Sequence, residues 1–194
     1  MRFLDYISLI LLLFFGGCNG DNEYVPKRTG YFRISLPEKK YLVHNADNEA
    51  FTFEYPVYSK VIKDSGKGNE TAWLNVIFPQ FRCELYMSYC KVDTNLNAYL
   101  EECRKMVTRH EIKASAINDR VVSNVKEKIY GDIFDIEGNT ATNLQFYLTD
   151  STKNFLRGAL YFYAVPNKDS IEPVLNFVRG DVEHLINTFR WKQQ

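Results

Sequence analysis

The chain has 194 residues with 24 basic and 24 acidic side chains, so its formal net charge is zero. That balance excludes the basic surface a nucleic-acid binder needs, and the length suits one domain with a real core. Aromatic residues make up 15 % of the chain, with 13 Tyr and 14 Phe, a composition that suits pleated, half-buried strands.

The N-terminus reads as an export signal. Met1–Tyr6 is short and polar with a single cation, Arg2, and Ile7–Phe15 is apolar except for Ser8. That run is about half the roughly 20 residues a spanning helix needs and has the proportions of a signal-peptide core. Gly16-Gly17-Cys18 follows, and the chain then turns polar through Asn19–Glu23. Small residues before a cysteine resemble a lipobox. Signal peptidase II is expected to cut between Gly17 and Cys18, leaving Cys18 as the acylated (palmitate-bearing) N-terminus. Residues 1–17 are thus read as signal peptide, 18–29 as a lipid-anchored tether containing Pro26, and 30–194 as a single domain.

Within the domain, Gly30–Pro37 predicts a first strand stopped by proline, and Phe51–Tyr55 an alternating strand stopped by Pro56. Lys60–Thr71, with Gly66 and Gly68, predicts a turn or loop. Trp73–Phe78 and Phe81–Tyr89 predict a hairpin around Pro79-Gln80. In its second arm Cys83, Leu85, Met87 and Tyr89 share one face, while Arg82, Glu84, Tyr86 and Ser88 share a wet one. From Leu96 the apolar positions Tyr99, Leu100, Cys103, Met106, Val107 and His110 fall at helical spacing. Thr94 or Asn95 is the expected N-cap, and the helix should fade near Lys113. Asn118–Asn124 is expected to be a connection. Lys128–Ile136, Thr142–Thr149 and Asn154–Tyr163 predict three strands in an antiparallel meander. Ser170 should cap a second helix with Pro173 in its first turn. Its apolar stripe is Val174, Leu175, Val178, Val182, Leu185, Ile186 and Phe189, with Gly180 a weak point and Trp191 closing the core edge. This order predicts an α+β fold, a mainly antiparallel sheet with two packed helices. In element order it resembles the PsbP-like architecture.

No residue set points to catalysis, a cofactor or a metal, and no small-molecule substrate is expected. His110-Glu111 and Glu183-His184 lack a second histidine at i+4, and none of the three histidines, His44 included, has a partner at metal spacing. His110 is read as a helix-edge residue and His184 as part of a solvated helix face. Asp132, Asp135 and Glu137 could ligate a cation but are read rather as a solvated strand face, and Glu101-Glu102 as surface charge beside Arg104 and Lys105. Gly158 suits a bulge or a close backbone approach. Cys83 and Cys90 lie seven apart in one predicted strand, more than roughly 20 Å if extended, so free thiols are expected, Cys103 included. Asp150-Ser151-Thr152 and Asp169-Ser170-Ile171 resemble an O-glycosylation acceptor pattern of exported Bacteroidetes proteins, although Ser151 also suits a turn and Ser170 a cap. Tyr31, Arg33 and Arg157 are candidate partner-surface residues, because Tyr and Arg favour interfaces.

Several blocks, in order, resemble one family. They are Pro26–Ile34, Leu36–Tyr41, Phe53–Pro56, Leu100–Lys105, Thr149–Thr152 with Phe155–Phe162, and Phe189–Lys192. Together they are similar to the gliding motility-associated lipoprotein family GldD of Bacteroidetes, and the three internal cysteines depart from its pattern. The resemblance implies a cell-envelope lipoprotein required for gliding. It would be a non-enzymatic accessory or scaffold of the gliding and type IX secretion apparatus, with proteins of that apparatus as partners. The alternative is a lipid-anchored binding or chaperone module for exported proteins or glycans. Asn19 after Cys18 does not match the familiar inner-membrane retention signal. The expected location is the outer membrane, facing the periplasm.

Overall fold

The computed structural model describes residues 34–64, 71–163 and 168–192. The chain from Arg33 onward forms one compact unit. The buried residues of its described hydrophobic clusters begin only at Ala50, so this unit carries its own core.

The strands are β1 (Tyr41–His44), β2 (Phe51–Pro56), β3 (Lys60–Asp64), β4 (Thr71–Phe78), β5 (Cys83–Lys91), β6 (Ala114–Asn124), β7 (Ile129–Gly138), β8 (Thr142–Thr149), β9 (Asn154–Phe162) and β10 (Arg190–Trp191). The helices are α1 (Leu96–Thr108) and α2 (Lys168–Thr188). A seven-stranded sheet runs β3-β4-β5-β9-β8-β7-β6, and a three-stranded sheet runs β1-β2-β10. Every pairing is antiparallel. The fold is α+β.

One face of the large sheet forms the main core with α2 and β2. The expected stripe of β5 points there, with Cys83, Leu85 and Met87 fully buried. It meets Val178, Val182, Leu185 and Ile186 of α2, and Phe51 and Phe53 of β2. Burying one such side chain contributes about 1.5–3 kcal/mol. Trp191 closes the edge as expected, its ring 4.7 Å from Phe189 in an edge-on contact. On the opposite face α1 covers only part of the sheet, setting Cys103 against Tyr147 and Phe155.

Five expectations need correction. Residues 30–33 lie outside the described residues, and 34–40 form no strand; there the Ser35 carbonyl accepts from Gln80 Nε2 at 2.8 Å, and Pro37 lacks a ladder donor. Lys60–Asp64 is strand β3 rather than loop, because Val61 packs on the core while Ile62 faces out. Asn118–Asn124 belongs to β6, an edge strand paired only to β7 and largely exposed, which erases its apolar alternation. Helix α1 stops at Thr108, and Asn95 makes no side-chain cap; its Oδ1 accepts instead from the Asp93 N–H at 3.0 Å. Helix α2 begins at Lys168, so Ser170 lies inside its first turn and Pro173 inside the helix.

Candidate functional site

His44, His184 and the carboxylates of β7 each have a local structural partner. His44 Nε2 lies 2.6 Å from Glu49 Oε2. His184 is not on a solvated face: its Nε2 lies 2.6 Å from Glu54 Oε2 and its ring stacks on Tyr41 at 3.6 Å. His110 sits in the turn beyond α1, where burial, then the nearby Arg157 charge, lowers its pKa. The acidic trio of β7 does not converge. Asp132 accepts from the Tyr147 hydroxyl at 2.6 Å, the largely buried Asp135 pairs with Arg179 at 2.8 Å and Arg120 at 3.1 Å, and Glu137 accepts from Asn118 at 3.3 Å. Among the described residues no group of three or more His, Cys, Asp or Glu could hold a metal. None of Cys83, Cys90 and Cys103 is in a disulfide. Burial pushes the Cys83 thiol up to about 12 and the Cys103 thiol to about 11, far from the depressed values of reactive cysteines.

A buried carboxylate fastens the start of the domain. Asp181 on α2 is 1 % exposed. It accepts from the Tyr41 hydroxyl at 3.0 Å and the Tyr58 hydroxyl at 2.5 Å, and Lys39 Nζ lies 3.1 Å away. Lys39 also donates to the Phe177 carbonyl at 2.9 Å. Gly180 permits this crossing, since a Cβ there would come within 2.7 Å of the Lys39 ammonium. Burial, then the bond to Asp181, raises the Tyr41 pKa to about 12.

The sheet face beyond α1 is a different environment. Cross-strand register places Ile62, Asn75, Tyr86 and Ala159 in one row, Ile77, Glu84 and Tyr161 in the next, and Trp73, Ser88 and Arg157 in a third. The expected wet side of β5 is therefore only half wet. Glu84 is 5 % exposed and accepts from the Tyr163 hydroxyl. The Tyr163 and Tyr86 hydroxyls lie 2.9 Å apart, and the Tyr86 and Tyr161 rings meet edge-on at 5.5 Å. Burial, then the Glu84 charge, raises the Tyr86 pKa. Around this fixed centre Ile62, Trp73 and Tyr163 remain 47 %, 41 % and 49 % exposed. Asn75 Oδ1 is buried with no hydrogen-bond partner. The whole is a pre-ordered aromatic surface with apolar rings, fixed hydroxyls and few rotamers to freeze, the properties of interface anchors.

Of the residues nominated from sequence, Arg157 lies at the border of this surface, half-buried and donating to Gln145 Oε1 at 2.7 Å. Tyr161, which was not among them, packs on it against Tyr86. Gly17, Cys18, Tyr31 and Arg33 lie outside the described residues. Ser151 is exposed in the β8–β9 turn with φ +66, and Ser170 is placed only as a residue of α2. Ile62, Trp73, Glu84 and Tyr163 were not singled out from sequence. Ile62 was hidden in the supposed loop, and the polar alternation of β5 concealed that Tyr86 and Glu84 share a face with Trp73.

Among the described residues no helix is long and apolar enough to cross a membrane. A comparison with curated proteins gives no match. Among solved structures the chain is similar to the solution structure of cyanobacterial PsbP (CyanoP) from Synechocystis sp. PCC 6803. The TM-score is 0.51 at 10 % identity, covering 83 % of this chain and 98 % of that one. That likeness establishes the fold alone. The family model for the gliding motility lipoprotein GldD matches residues 21–191, from within the polar N-terminal stretch through every described strand and both helices. By that match the chain belongs to the gliding motility lipoprotein GldD family.

Proposed function

We propose that this lipoprotein is a non-enzymatic docking module of the gliding and type IX secretion apparatus, held to the outer membrane by acylated Cys18 and facing the periplasm. One observation carries the reading. The aromatic surface of Ile62, Trp73, Tyr86, Tyr161 and Tyr163 is built, rigid and left uncovered by α1. The family's name supplies gliding and the lipoprotein character, and His44, His184 and the β7 carboxylates are paired locally rather than gathered at one site. Tyr31 and Arg33, and O-linked sugars on Ser151 and Ser170, belong to the same proposal; intact mass of the mature protein tests the sugars.

The test is Trp73→Glu with Ile62→Glu, introduced in the native host and scored for colony spreading and secreted adhesin; Tyr163 is left in place because its hydroxyl caps the buried Glu84. Both positions are exposed, so folding and abundance should be retained while spreading fails. Normal spreading at normal abundance would refute the docking role. Cys18→Ala should abolish spreading as well, and its full function would remove the anchor from the proposal. The unpartnered Asn75 carboxamide oxygen beside Trp73 and Tyr86 favours a second reading, in which the occupant is an envelope glycan. Saturable binding of purified glycan that Trp73→Ala abolishes would select it.

A further inference from the structure

A second site lies at the other end of the polar chemistry, where three chain segments meet. Antiparallel connectivity brings the β6–β7 turn (125–128) and the β8–β9 turn (150–153) to the same end of the large sheet. With the C-terminal Trp191 and Lys192 they enclose a cleft of about 460 Å³. Its rim carries Lys126, Lys128 and Lys153, all exposed. A fourth cation, Lys192, reaches in from the C-terminal strand with its Nζ on the Ala46 carbonyl at 2.5 Å.

The acidic residues of the cleft do not neutralise these ammonium groups. Glu127 lies 3.5 Å from Arg190 Nε, an ion pair of its own. Asp150 Oδ1 accepts from the backbone N–H groups of Thr152, Lys153 and Asn154 at 2.8–2.9 Å, and its Oδ2 accepts from Asn154 Nδ2 at 2.6 Å. Both carboxylates are thus committed to holding the turns in place. Among the described residues Lys126, Lys128 and Lys153 make no side-chain ion pair or hydrogen bond. On the cleft wall, the indole N–H of Trp191 is buried without an acceptor. Four lysines against the single unpaired carboxylate charge of Asp150 leave the cleft with cationic donors in excess.

From this we infer that the cleft is a binding site for a phosphate-bearing anion, with Lys126, Lys128 and Lys153 as its charged donors and Trp191 as its wall. Clustered lysines suit phosphate, which concentrates up to about two negative charges and three acceptor oxygens on one group and which lysine binds as a compact point charge with three freely rotating donors; the neighbouring Arg190 is already paired with Glu127. The Val125 side chain, at the tip of the β6–β7 turn, is 73 % exposed beside these lysines. That feature suits a phosphate presented by a lipid surface, while a soluble phosphorylated molecule shares the same chemistry. This site is independent of the aromatic surface.

The test uses residues 19–194, which retain the self-contained compact unit, with Trp73→Phe so that Trp191 alone reports. One arm titrates inorganic pyrophosphate against Trp191 emission. The other measures co-sedimentation with phosphatidylglycerol vesicles, with phosphatidylcholine vesicles as reference. At least one arm should show saturable, salt-sensitive binding. The combined Lys126→Gln, Lys128→Gln and Lys153→Gln change should weaken vesicle binding on the order of 100-fold, at roughly fivefold per lysine near an anionic surface, with an unchanged melting curve. A pyrophosphate response identifies a soluble phosphorylated ligand, and a vesicle response alone identifies the lipid headgroup. No response in either arm, binding unaffected by the triple change, or equal binding of poly-glutamate would overturn the inference.

Discussion

Removing the Asp181 carboxylate is the sharpest test of how the domain holds its own N-terminal segment. In Asp181→Ala, the Tyr41 and Tyr58 hydroxyls and the Lys39 ammonium lose their common acceptor at once. Breaking a buried ion pair by deleting one partner costs about 3–5 kcal/mol. Here the Lys39 side chain is 35 % exposed, so water recovers part of its solvation, and the loss should be about 3 kcal/mol. For a domain of this size that corresponds to a fall in melting temperature of roughly 6–12 °C. Thermal and urea unfolding of residues 19–194 measure it, and hydrogen exchange localises it. The amides of β1, which pairs only with β2, should lose protection before those of β5. A stability change below about 1 kcal/mol, or unaltered exchange in β1, would refute the argument that this carboxylate is what fastens the segment down.

The remaining predictions follow from the same geometry. Tyr41 stays protonated to a higher pH when folded than when unfolded, so its contribution is complete below about pH 10 and is lost as pH rises towards 12; Tyr41→Phe should flatten that part of the pH–stability curve. Gly158→Ala would place a Cβ 2.3 Å from the ring of Phe146, itself a core residue, so overpacking should destabilise by about 1–3 kcal/mol in urea unfolding. Gly131→Ala meets the Tyr147 backbone carbonyl at 1.9 Å, an obstacle that no rotamer change relieves; it should cost more than Gly158→Ala, read as loss of soluble protein. Cys83 and Cys103, buried and with raised pKa values, should resist thiol reagents in native protein and react on unfolding.

The parts of the fold legible in the sequence are those in which a single burial pattern dominates. The β5 stripe of Cys83, Leu85 and Met87 and the α2 stripe of Val178, Val182, Leu185 and Ile186 each face one core, so periods of two and 3.6 survive in the residue order. Edge strands lack that signal. Strand β6 exposes most of its side chains and β3 turns only Val61 to the core, so both read as connections. The aromatic surface was hidden for a related reason. Glu84 looks like a solvent-facing residue until cross-strand register sets it beside Tyr161, and Tyr163, beyond the end of β9, then covers it. Its partners lie 77 and 79 residues away in the chain, a distance no local pattern spans. The lysine cleft is likewise assembled from two turns and the C-terminal strand, each unremarkable alone.

The central claim is that the aromatic surface is where this lipoprotein meets its partner. The most direct measurement is site-specific photocrosslinking in gliding cells, with the reactive side chain placed in turn at Trp73, Tyr163 and, as a reference on the far side of α1, Ile112, which is 91 % exposed. A discrete adduct with one envelope protein is expected from positions 73 and 163 and none from 112. Adducts from all three positions alike, or from none of them in cells that glide normally, would contradict it.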